Sequence, residues 1–165
     1  MDQASTARAE PEEALYQRLI MERARQPLHA GVLDPADRAA DGNNPFCGDK
    51  VHVTLSLSAA GQVAEVRHQT RGCAICMAAA DLMAESVQGL DDAAISSLFG
   101  RFDVMVHGGV ASLADATRPG DAEQVSGGLG LLNAFGNLHE YRSRIRCATL
   151  PWTALLDALK SGRTL

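Results

Sequence analysis

Aromatic residues are scarce in this chain, and an excess of basic charge is missing altogether. Aromatics make up 4% of the 165 residues, so a core has to be assembled from Ala, Leu, Val, Ile and Met, of which a 46% hydrophobic content supplies enough. The formal charge of −5 argues against a nucleic-acid binder, because there is no basic excess to neutralise phosphates. No stretch approaches the roughly 20 apolar residues of a membrane span. Met1 to Pro11 is polar and charged and has no apolar run of the kind an export signal carries. These residues are expected to form a flexible tail, with one domain over residues 12–165 and no linker inside it. The expected location is the reducing cytoplasm. There, four cysteines point to metal ligands or reactive thiols rather than to a disulfide framework.

The periodicities that are present mark out an α+β chain. Helical spacing over Glu12 to Gln26 places Leu15, Leu19 and Ile20 on one face beside Arg23, and Pro27 ends the helix. Leu28 to Cys47 is rich in Gly, Pro, Asp and Asn and reads as loop, with room for a short strand. Lys50 to Ser58 alternates strictly, with Val51, Val53, Leu55 and Leu57 against His52, Thr54, Ser56 and Ser58. A turn at Ala60-Gly61-Gln62 and a returning strand from Val63 to Thr70 complete an antiparallel hairpin with one buried face. Beyond Gly72 the period changes. Cys73 to Val87 is an Ala- and Met-rich helix closed by Gly89, and Asp91 caps another through Phe99. Residues 100–128 are too interrupted by Gly and Pro to assign. Leu129 to Leu138 predicts a short helix, and Pro151 fits the first turn of a last helix carrying Trp152, Leu155, Leu156 and Leu159.

The chemistry gathers around the cysteines. Cys47 lies in Asn44-Pro-Phe-Cys-Gly-Asp49, a turn in which Gly48 lets Cys47 and Asp49 point at one spot. Cys73 lies where the hairpin turns into a helix, and the hairpin's return should bring it beside Cys47. A helix N-terminus there favours a thiolate. With Cys147 as a third thiol, the set suits zinc or an iron–sulfur centre, and Asp49 as a hard ligand among sulfurs makes the site more exchangeable. Competing readings exist at each position. Asp49 can be a plain turn residue, and Cys76 a small core residue. Cys73-Ala-Ile-Cys76 is a C-x-x-C pair, which would make the chain a dithiol redox protein, although no βαβ pattern precedes it. A purely structural zinc is a third possibility. His52 and His68 read as solvated on the polar face of the hairpin. His29, His107 and His139 are loop or surface candidates without ligand spacing, Met77, Met83 and Met105 read as core, and Arg142, Arg144 and Arg146 as a solvated cluster.

Three ordered segments carry a resemblance that covers roughly residues 12–160. Asn44-Pro-Phe-Cys-Gly-Asp49, Thr70-Arg-Gly-Cys-Ala-Ile-Cys-Met-Ala-Ala-Ala80 and Arg144-Ile-Arg-Cys-Ala-Thr-Leu-Pro-Trp152 resemble the signature segments of the NifU-type scaffold family, and within it the SufU branch. Arg146, where the IscU branch has His, and the long gap between Cys73 and Cys147 both favour that branch. The resemblance implies a small antiparallel sheet with helices packed on one side, and a metal site from Cys47, Asp49, Cys73 and Cys147. It implies a sulfur carrier for iron–sulfur cluster assembly rather than a stand-alone enzyme, holding Zn2+ or, transiently, a 2Fe–2S cluster. Its sulfur would come from a pyridoxal-phosphate cysteine desulfurase of the SufS type, with SufBCD-type scaffolds or apo iron–sulfur proteins downstream. Cys47 is the implied persulfide acceptor, Cys147 the alternative, and Arg146 the residue supporting the neighbouring thiolate. The chain departs from the family at Gln26-Pro-Leu-His-Ala-Gly31, usually Asn-Pro-Arg-Asn-x-Gly, and at Cys76, where a small residue such as Ser is common.

Overall fold

Strict alternation over the hairpin becomes the centre of a three-stranded antiparallel sheet. In the computed structural model, which describes residues 12–109 and 129–161, the strands are β1 (Arg38–Asn44), β2 (Asp49–Leu57) and β3 (Val63–Arg71), in the order β1-β2-β3. The tail expected over residues 1–11 lies outside the described residues. β1 occupies the segment read as loop, because composition there is poor in β-branched residues and long-range contacts, pairing with β2 and packing against Leu150 and Ala154, hold it in place. Val51, Val53 and Leu55 are buried on the inner face as the alternation requires.

Among the described residues four α-helices accompany the sheet: α1 (Glu12–Arg25), α2 (Ala74–Ser86), α3 (Asp92–Val106) and α4 (Arg142–Ser161). α2 and α4 lie against the sheet and against each other, which gives an α+β fold with its helices on the inner face. Asp91 caps α3 by accepting from the Ala94 amide at 2.9 Å, but the helix runs through Gly100 to Val106. Its buried Ile95, Leu98, Phe102 and Val106 continue one apolar face, and that packing outweighs the roughly 1 kcal/mol that a helical glycine costs. Phe99 and Phe102 stack on Trp152 with ring centroids 5.7 and 5.4 Å apart, concentrating the few aromatics at the α3–α4 contact. The short helix expected near Leu129 is a 3-10 helix, Gly130–Phe135. No helix among the described residues is long and apolar enough to cross a membrane.

Two further departures bear on function. The last helix starts at Arg142, well before Pro151, and Pro151 lies inside it. The proline removes the helical hydrogen bond to the Cys147 carbonyl, a cost of about 3 kcal/mol. The buried Ile145, Ala148, Trp152 and Leu155 on both sides of it offset that cost. His68 is not solvated but buried, because the register sets it opposite Val53 on the inner face. It serves a buried carboxylate, Asp81 on α2. Asp81 accepts from His68 Nε2 (3.0 Å) and the His29 amide (2.7 Å) on one oxygen. Its other oxygen accepts from Arg23 Nη1 and the Leu28 amide, both at 2.9 Å. Burial alone would raise the Asp81 pKa, yet the bonds from His68, Leu28, His29 and Arg23 hold it down at about 2. α1, the segment after it, β3 and α2 are all tied to this one side chain.

Candidate metal centre

One end of the sheet carries the cysteines. The turn between β1 and β2 is held by Asn44, whose carbonyl accepts from the Cys47 and Gly48 amides (3.2 and 2.7 Å) and whose side-chain oxygen accepts from the Phe46 amide (3.1 Å). Gly48 sits at φ +76°, the left-handed region where a Cβ is penalised. This winding leaves Cys47 exposed at the tip while Asp49, the first residue of β2, is 2% exposed.

At the far end of β3, Gly72 and Cys73 pass close beside Asp49. A Cβ on Gly72 would collide with the Asp49 carboxylate, so glycine is what allows the approach. Cys73 is the N-cap of α2, and its amide donates to Asp49 Oδ1 at 3.4 Å. Cys147, buried in α4, faces the same carboxylate.

Ligand atoms of Cys47, Asp49 and Cys147 all lie within 4.8 Å of one another. Zn–S bonds near 2.3 Å and Zn–O bonds near 2.0–2.2 Å place tetrahedral ligands about 3.5–4 Å apart, so these side chains need to close by only about 1 Å. Asp49 Oδ2 is buried with no hydrogen-bond partner, as is Asn44 Nδ2 beside it. An unpaired buried carboxylate oxygen is costly, and a metal ion satisfies that demand. The donor set fits a zinc-like ion. The Cys73 thiol is not within that mutual distance of all three, although it adjoins Cys147 and Asp49 through the contacts described here.

Charges around the thiols follow from their burial. Burial pushes the Cys147 thiol well above its ordinary pKa, and the adjacent Asp49 and Cys73 add to the shift. Burial does the same to Cys76, aided by the charges of Asp49, Cys73 and Cys47. Arg144 faces the thiols, and its pKa is raised by Cys73 first and also by Cys147. Arg146, singled out in the sequence, lies over the ring of the exposed Phe46, 5.3 Å from its centroid. Sequence reasoning missed Arg144 by placing the helix start at Pro151. With a helix from Arg142, residues 144 and 147 share a face at i,i+3 spacing, and that spacing was the available signal. His52, half-buried, pairs with Asp41 at 2.7 Å, while His107 and His139 are exposed, as their loop and surface settings suggest.

Residues 15–100 match the NifU-like N terminal domain. The chain belongs to this family. It is 32% identical over 144 residues to the zinc-dependent sulfurtransferase SufU of Bacillus subtilis (strain 168), covering 87% of this chain and 88% of that protein. It is 28% identical over 146 residues to the iron–sulfur cluster assembly scaffold protein IscU of Streptococcus pyogenes serotype M1, covering 88% and 83%. The fold also matches a crystal structure from Fervidobacterium islandicum AW-1, a putative iron–sulfur cluster assembly scaffold protein for the SUF system. That match has a TM-score of 0.75 at 23% identity and covers 91% of this chain and all of that one. The α+β architecture is thus that of NifU-like domains.

Proposed function

We propose that this NifU-like protein is a cytoplasmic sulfur carrier for iron–sulfur cluster assembly that holds zinc through Cys47, Asp49, Cys73 and Cys147. The observation that carries the reading is the meeting of Cys47, Asp49 and Cys147 around a carboxylate oxygen that has no other partner. The zinc dependence of the SufU relative supports the choice of ion. When bound, zinc supplies positive charge that keeps thiols deprotonated at neutral pH.

The acceptor is Cys47. It is the exposed cysteine, at the tip of a turn, whereas Cys76 and Cys147 are buried and Cys73 is half-buried. The Cys47 thiolate attacks the outer sulfur of a persulfide on a cysteine desulfurase of the SufS type. A new S–S bond forms on Cys47, the donor's S–S bond breaks, and the donor keeps the electron pair as its thiolate. Arg144 offsets negative charge among the inner thiols, and Arg146 braces Phe46 beside the acceptor. Downstream recipients are SufBCD-type scaffolds or apo iron–sulfur proteins.

Elemental analysis of anaerobically purified wild type and of Cys47→Ala, Asp49→Ala, Cys73→Ala and Cys147→Ala tests the site. About one zinc per chain is expected in the wild type, diminished in every variant. Incubation with a desulfurase and cysteine, followed by peptide mass mapping, should place one added sulfur on Cys47. Iron with matching sulfide would favour a 2Fe–2S cluster as the occupant, and no metal in the wild type would overturn the site.

A further inference from the structure

Cys76 has no part in the proposed transfer, yet it is buried against the same group of thiols. Cys73 is the N-cap of α2 and Cys76 is its third helical residue, with the Met77 amide closing the first turn on the Cys73 carbonyl at 3.0 Å. An N-cap side chain reaches over the amides of the second and third helical residues, which brings it towards Cys76. The Cys73 side chain makes no capping bond, and the first turn of α2 holds no acidic residue, so no bond to the α2 amides has to break before the side chain turns towards Cys76. Side chains three apart on a helix have Cβ atoms about 5–6 Å apart, and a disulfide needs about 3.5–4.5 Å. The N-cap residue lies half outside the helix and follows Gly72, so it can supply that closure. In exposure the pair is unequal: Cys73 is half-buried and Cys76 is fully buried. One thiol is open to a reagent and the other is shielded until its neighbour has reacted.

We propose that Cys73 and Cys76 form an oxidisable dithiol site that closes to a disulfide under a peroxide and withdraws Cys73 from the metal-binding group. The Cys73 thiolate attacks one peroxide oxygen. The O–O bond breaks, leaving a sulfenic acid on Cys73 and hydroxide, which takes up a proton to become water. The Cys76 sulfur then attacks the Cys73 sulfur, and the S–O bond breaks as a second water leaves with the Cys76 proton. Two thiols lose two electrons in total, and the peroxide is reduced to two waters. With metal bound, Cys76 is the one cysteine without a ligand role, so it outcompetes Cys147, which also adjoins Cys73. Both the loss of metal and the choice of Cys76 over Cys147 rest on the reading in the preceding section.

The test treats the full chain with hydrogen peroxide in metal-loaded and chelator-stripped forms, then alkylates and digests it with trypsin. Cleavage after Arg71 and Arg101 leaves both cysteines in one peptide, Gly72 to Arg101. The expected product is that peptide short of two hydrogens and closed to alkylation, with metal released in step to a chromogenic chelator. In Cys76→Ser, which leaves all four proposed ligands in place, release at the same peroxide dose should be several-fold slower. The proposal is overturned if Cys73 links to Cys47 or Cys147 instead. It is also overturned if metal leaves while the peptide stays fully alkylated, or if Cys76→Ser loses metal as fast as wild type. Should the purified chain hold no metal, the metal-site reading fails, and the peptide still decides whether the pair closes.

Discussion

Asp49 and Asp81 are both buried carboxylates, and the protein treats them oppositely. Around Asp81 every lone pair is directed at a donor: two backbone amides, an imidazole and a guanidinium whose other nitrogen reaches Glu85 at 2.7 Å. Around Asp49 there is one long bond from the Cys73 amide, two thiols, and an oxygen with no partner. A satisfied buried charge joins secondary-structure elements, and its removal strands its partners. An unsatisfied one beside soft ligands marks a place prepared for something else. Burial alone therefore does not separate a structural carboxylate from a ligand. The tally of hydrogen-bond partners does.

The largest expected contrast is in stability. Asp81→Ala should cost about 3–5 kcal/mol, since it leaves Arg23 and His68 without their carboxylate. In a domain of this size that is a fall in Tm of roughly 6–20 °C. Asp49→Ala in chelator-treated protein should change stability by less than about 1 kcal/mol, or raise it, because an unpaired buried oxygen is removed. Thermal unfolding of the two variants without metal checks this, and equal losses would break the contrast.

Acid should sharpen the same comparison. The Asp81 carboxyl titrates near 2 in the folded protein, against an ordinary value of 3.8. Its contribution is therefore complete above about pH 4 and is lost as pH falls through about 2, a loss of about 2 kcal/mol. Denaturant unfolding between pH 4 and 2 should show a shallower decline in Asp81→Asn than in wild type. A parallel decline would mean that the bonds from His68 and Arg23 do not govern this carboxylate.

The smallest effect concerns Gly72. Gly72→Ala should leave the sheet and Asp81 intact but push the Asp49 side chain out of position, weakening metal retention by about tenfold. Competition with a chelator of known affinity measures it, and unchanged retention would remove Gly72 from the site.

Much of the fold was legible in local pattern. The hairpin, the change of period at Gly72 and the Asp91 cap all rest on residues a few positions apart. β1 was not legible, because it is held by distant partners, β2 beside it and α4 across its face. His68 was misplaced for a related reason. The register shifts between Ser56 and Leu57, so Val63 and Val66 are both buried although they stand three apart. Alternation counted from Val63 puts His68 on the wrong face, and a one-residue slip reverses every side chain.

For the candidate site, the motifs alone nominated Cys47, Asp49, Cys73 and Cys147, since thiols in polar turns and at a helix start are chemically conspicuous. Only the tertiary structure decided that Cys47 is exposed while Cys147 is buried, that Arg144 faces the thiols while Arg146 lies over Phe46, and that Asp49 keeps an oxygen without a partner. Periodicity and turn chemistry act over neighbouring residues and can be read along the chain. Whether a buried polar atom finds a partner depends on segments that meet from far apart, and that is settled only when they pack.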